Sequence, residues 1–102
     1  MNTVITALHC DIPEELKTRA GAIVERLGQF ASRAMECTVV FETDHNTAIA
    51  EVRLHLPQRK LLVARGEGID HRTALDRAEE KLRNQLDKAS LRPRGRAKAD
   101  QA

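Results

Sequence analysis

The stretch from Ala48 to Leu56 constrains this chain more than any other, because it alternates without a slip. Ala48, Ala50, Val52, Leu54 and Leu56 fall on one side, and Ile49, Glu51, Arg53 and His55 on the other. Successive side chains of a strand point to opposite faces, so this is a strand with one buried and one wet side. A sheet of that kind must bury its apolar face under another layer, and the rest of the chain offers helices for it.

Asn2 to Leu8 is short and rich in β-branched residues, which predicts a first strand. Asp11-Ile12-Pro13-Glu14 reads as a helix start, with Asp11 as cap, Pro13 in the first turn and Glu14 three residues beyond the cap. Leu16, Ala20, Ile23, Val24, Leu27 and Phe30 then recur at spacings of three and four, an apolar stripe on a helix reaching about Ala31. Gly21 and Gly28 weaken that helix locally, and either one suits close packing against a sheet. Cys37 to Phe41 is a second strand, with Cys37, Val39 and Phe41 on one face, and Asp44-His45-Asn46 is a turn. After the alternating strand, Pro57 to Lys60 turns the chain and Leu61 to Arg65 forms a fourth strand. Gly66-Glu67-Gly68 reads as a flexible joint before Asp70 caps a second helix. Its stripe is Ala74, Leu75, Ala78, Leu82, Leu86 and Ala89.

The expected fold class is therefore α+β, in the order β-α-β-β-β-α. It has a four-stranded mixed sheet with two helices packed on one face, and a disordered basic C-terminal tail. A crossover helix makes the first two strands parallel with a right-handed connection, and the short turns make the later pairs antiparallel. Residues 1–90 form one domain and 91–102 the tail, which has no apolar content to bury. With 102 residues there is room for a single core. It must be aliphatic, since the chain has two Phe, no Trp and no Tyr. That scarcity removes the aromatic platform on which an RNA-recognition motif stacks bases.

Chemistry finds little to work with. Gly66-x-Gly68 lacks the third glycine of a dinucleotide loop and the Lys-Ser/Thr of a phosphate loop. Asp44-His45 and Asp70-His71 have no partner Ser or Cys at a telling spacing, and Glu79 and Glu80, about 100° apart on a helix, do not pair. His9, Cys10 and Cys37 match no metal-site spacing, and the two cysteines read as reduced core residues. No enzyme activity, metal or cofactor is expected. No apolar run approaches a membrane span and the start lacks a signal-peptide pattern, so a cytoplasmic chain is expected.

Charge is what remains. Residues 1–52 carry four Lys/Arg against eight Asp/Glu, and residues 53–102 carry thirteen against seven, so the second half can face a polyanion. On the second helix Arg77, Lys81 and Lys88 share a ridge, flanked by Arg72, Arg83 and Arg92. Asp76, Glu79, Glu80 and Asp87 lie on the same helix, which also fits an ordinary solvated face with i,i+4 ion pairs. The tail adds Arg92, Arg94, Arg96 and Lys98 against Asp100, spaced by Pro and Gly as suits phosphate contacts formed on binding.

Asp11-Ile12-Pro13-Glu14-Glu15-Leu16 through Arg26-Leu27-Gly28-Gln29-Phe30 resembles the first helix of the short ribosome hibernation promoting factors, also called ribosome-associated inhibitors or sigma-54 modulation proteins. So do Glu67-Gly68-Ile69-Asp70, Ala74-Leu75-Asp76 and Lys81-Leu82-Arg83-Asn84-Gln85-Leu86-Asp87-Lys88. The resemblance spans roughly residues 2 to 92 and implies the β-α-β-β-β-α order. It implies binding to the small ribosomal subunit and its rRNA near the decoding centre, where the protein keeps mRNA and tRNA out in stationary phase or stress. By position, Lys81, Lys88 and Arg92 match basic residues of the family's second helix, and Arg26 and Arg33 match basic positions at the end of the first. With Arg77, Arg83, Arg94 and Arg96 they make the expected rRNA-binding set. The family often has Tyr where Arg72 stands and Arg where Asn84 stands. If the chain supports ribosome dimers, the resemblance implies a separate dimerising partner protein. Two other readings fit the residues: a free-standing double-stranded-RNA-binding domain, and a protein-interaction module acting on a transcription factor.

Overall fold

A computed structural model describes residues 2–31 and 33–88. The order is β1 (Asn2–Leu8), α1 (Glu14–Phe30), β2 (Glu36–Asp44), β3 (Thr47–Leu56), β4 (Lys60–Gly68) and α2 (His71–Lys88). The strands form one sheet in the order β1-β2-β3-β4. β1 runs parallel to β2, and the other two pairs are antiparallel, as the crossover and the short turns require. The expected Ala89 end of the second helix and the tail from residue 91, with Arg92, Arg94 and Arg96, lie outside the described residues.

Register follows the alternation. Cys37, Val39 and Phe41 of β2 stand opposite Leu54, Val52 and Ala50 of β3, and Ala64 and Leu62 of β4 continue those rows. This face is roofed by Leu16, Ala20, Ile23, Val24 and Leu27 of α1 and by Ala74, Leu75, Ala78, Leu82 and Leu86 of α2. Close-packed aliphatic burial of that kind is the main favourable term in a domain this small. Phe41, fully buried, meets the His71 ring edge-on at 6.0 Å between centroids. Cys10 and Cys37 are free thiols, and burial pushes the Cys37 thiol up to about 11.

Four expectations are corrected. Asp11 does not cap α1: Pro13 occupies the cap position with extended backbone, and its carbonyl accepts from the N–H groups of Leu16 and Lys17. The residue before a proline avoids helical backbone, so no helix runs through Ile12, and Pro13 itself is extended at ψ 155°, which starts the helix at Glu14. Ile49, expected on the wet face, is 3% exposed. It sits in a central strand between Glu42 and Glu67, and such cross-strand neighbours shield a β-branched side chain even on the open face. Gly21 packs against nothing, since a Cβ there would meet no atom within 4 Å.

The fourth correction concerns Gly66-Glu67-Gly68, which is strand and not joint. β4 continues through Gly68, pairing Gly66 with Ala50 and Gly68 with Ala48. A Cβ on Gly66 would collide with the backbone carbonyl of Ala74 and come within 2.6 Å of the Ala78 backbone nitrogen. The glycine is there because α2 lies directly on β4, which leaves no volume for a side chain.

Candidate nucleic-acid interface

The expected helix cap is in place: the Thr73 N–H donates to Asp70 Oδ1 at 2.7 Å, and this bond holds the Asp70 carboxyl below its ordinary range. From that anchor α2 runs back along β4, the edge strand of the sheet. Every second carbonyl of an edge strand points away from the sheet, without a strand partner. Three side chains of α2 reach those carbonyls. Arg77 Nη1 donates to the Glu67 carbonyl at 2.7 Å, Lys81 Nζ to Arg65 at 2.8 Å, and Gln85 Nε2 to Val63 at 2.8 Å. The match is one of pitch, because four helical residues rise about 6 Å and two strand residues about 6.8 Å. Side chains spaced by four on the helix therefore meet carbonyls spaced by two on the strand.

A carbonyl is neutral, so these bonds position the cations without cancelling them. Arg77 and Lys81 remain exposed at the surface with full charge, and Lys88 stands exposed on the same ridge. Arg65, on the open face of β4, adds a cation beside the Lys81 bond, with Glu67 Oε2 3.9 Å from its Nε. Guanidinium and ammonium groups held along a line are suited to phosphate oxygens, which are recognised by charge and geometry rather than by sequence.

The other flank of α2 is built differently. Arg19 of α1 donates through Nε and Nη2 to Asp76 Oδ1, at 3.1 and 2.8 Å. Arg26 donates through Nη2 to both carboxylate oxygens of Glu79, at 3.3 and 3.0 Å. Glu79 is 8% exposed, the one buried charged residue among those described. Asp76, Glu79, Glu80 and Asp87 line a shallow depression here together with Arg83 and Asn84. All four carboxylates of α2 thus gather on the side towards α1 and solvent, away from the ridge.

Of the residues the sequence assigned to rRNA, the structure brings Arg77, Lys81 and Lys88 together. Arg26 is committed to Glu79, and Arg83 stands among carboxylates. Arg33 is exposed in the connection after α1, and Arg92, Arg94 and Arg96 lie outside the described residues. The sequence reading missed Arg65 and Gln85. The spacing of Arg77, Lys81 and Gln85 was visible, but their acceptors depend on a helix lying along one particular strand.

Other proteins share this fold. A family model described as sigma 54 modulation protein / S30EA ribosomal protein matches residues 3–93. A ribosomal subunit interface protein from Coxiella burnetii is similar in structure with a TM-score of 0.81 at 21% identity, over 88% of this chain and 98% of that one. The N-terminal domain of Thermus thermophilus Protein Y gives 0.74 at 23% identity, over 87% and 99%. At such identities the likeness speaks for the fold. No curated protein matches the chain.

Proposed function

The chain belongs to the sigma 54 modulation protein / S30EA ribosomal protein family, and on that premise we propose that it binds the small ribosomal subunit through rRNA near the decoding centre. There it excludes mRNA and tRNA and inhibits translation in stationary phase or stress. The observation that carries this reading is the ridge of Arg77, Lys81 and Lys88, two of whose cations are tied to neutral carbonyls and so kept both ordered and charged. Ordering before binding removes part of the entropic cost of fixing long side chains on a phosphate backbone.

The mechanism is steric. A compact domain seated in an RNA-lined channel occupies the volume that mRNA and tRNA need, and no bond is made or broken. Arg77, Lys81 and Lys88 make the central phosphate contacts, and Arg65, 3.9 Å from Glu67 Oε2, stands at their margin on the sheet. Arg33 and the tail arginines Arg92, Arg94 and Arg96 add further positive charge for phosphate. Arg26 and Arg83 stand at the margin, where nearby carboxylates weaken any attraction for phosphate, and Arg26 serves chiefly to lock the two helices together.

Sedimentation of purified ribosomes with the protein through a sucrose gradient, at two salt concentrations, tests the reading. Travel with small subunits or whole ribosomes at low salt, and release as salt rises, is the expected result. Protein left at the top of the gradient at low salt would overturn it.

A further inference from the structure

The two edges of the sheet are finished in different ways. At β4 the outward carbonyls of Val63, Arg65 and Glu67 are occupied by α2 side chains. At β1 no such cover exists among the described residues. The Asn2 N–H donates to the Met35 carbonyl, on the β2 side. Backbone groups alternate along a strand, so those of Thr3, Ile5 and Ala7 point away from the sheet. The devices that normally blunt an edge are missing: residues 2–8 contain no charge and no proline, and pair with β2 in unbroken register. Val4 and Leu8 are each 44% exposed on the open face.

We infer that β1 is a self-association edge, pairing antiparallel with β1 of a second copy of this chain. An uncharged edge fits an uncharged edge, and the same segment meets itself without placing like charges opposite one another. In the two-fold register centred on Thr6, Val4 of one copy faces Leu8 of the other on the open face, and Thr6 faces Thr6. Ile5 then stands opposite Ala7, and these are residues whose N–H and C=O groups point outward, so the hydrogen-bonding phase agrees with the side-chain match. His9, with φ of 57°, ends the strand and limits the pairing to this segment. The product is an eight-stranded sheet with the α2 ridges at its two outer ends, both still accessible. A seven-residue edge makes a small interface, so the association is weak and depends on concentration.

The test is sedimentation equilibrium of the purified full chain, without ribosomes, from about 5 µM to about 1 mM. The weight-average mass is expected to rise from 11.4 kDa towards twice that value. Val4→Lys places a charge on the open face, and Ala7→Pro deletes one outward N–H that no strand partner uses. Both should hold the mass at the monomer value while circular dichroism stays unchanged. A wild-type protein that remains monomeric at the highest concentration overturns the inference, as does association that both variants retain. Should a variant fail to fold, amide exchange of the wild type decides. The Ile5 and Ala7 amides must slow as concentration rises, and equal rates at both ends of the range overturn the proposal. Because no RNA is present, the outcome stands apart from the ribosome-binding result.

Discussion

The two flanks of α2 carry charges of opposite sign and use them oppositely. Towards β4, Arg77 and Lys81 bond to backbone carbonyls and keep their charge for a partner. Towards α1, Asp76 and Glu79 meet Arg19 and Arg26 in ion pairs that cancel. The difference shows that the number of cations on a helix says little about its pull on a polyanion. What each cation is bonded to decides that. A cation held by a neutral dipole is ordered and still charged, whereas one held by a carboxylate is ordered and largely neutralised at a distance.

The most damaging way to break the comparison is to lift α2 off β4. Gly66→Ala drives a Cβ into the backbone of Ala74 and Ala78, which cannot rotate aside. A loss of about 3 kcal/mol or more is expected, read as a fall in the urea midpoint or outright failure to fold. A loss under about 0.5 kcal/mol would mean that α2 is not tied to β4 as described.

Next in size is the functional contrast. Lys81→Glu with Lys88→Glu should lower ribosome affinity at least about tenfold at low salt and flatten its salt dependence. Both residues are exposed, so urea stability should stay within about 0.5 kcal/mol. Co-sedimentation equal to wild type would remove this flank from the interface.

Arg26→Ala is the mirror experiment. It strands the buried Glu79 carboxylate, so stability should fall by about 1–2 kcal/mol. Ribosome binding by the folded protein should move less than about twofold, well under one tenfold step of affinity. Loss of binding without loss of stability would show that the α1 flank faces RNA after all.

The smallest effect is a control at the end of the helix shared by both flanks. Asp70→Ala removes the bond from the Thr73 N–H and should lower the melting temperature slightly at neutral pH, with ribosome binding unchanged. The folded carboxyl titrates below the ordinary Asp value of 3.8, so its contribution is present above that value. As pH falls through the depressed pKa the contribution is lost, and wild type and variant should converge. A gap that persists unchanged into that acid range would contradict the cap.

Much of this was legible in the one-dimensional pattern. Period two from Ala48 to Leu56 named the buried row of β3, and period 3.6 named the roof of α2 from Ala74 to Leu86, because both follow from local backbone geometry alone. The family could be read too, since its strings are local. Gly66 was misread for the same reason: in sequence a glycine pair looks like a joint, and only the helix lying over it shows that volume, not flexibility, selects it. Likewise the sequence counted five cations and four anions on α2 but could not say which were spent internally. The elements, their order and their apolar faces were determined by the sequence itself, because hydrophobic periodicity is a property of neighbouring residues. The placement of α2 along the β4 edge, the pairing of Arg19 and Arg26 across to it, and hence which flank keeps its charge were decided by tertiary structure, because those acceptors lie on segments distant in the chain.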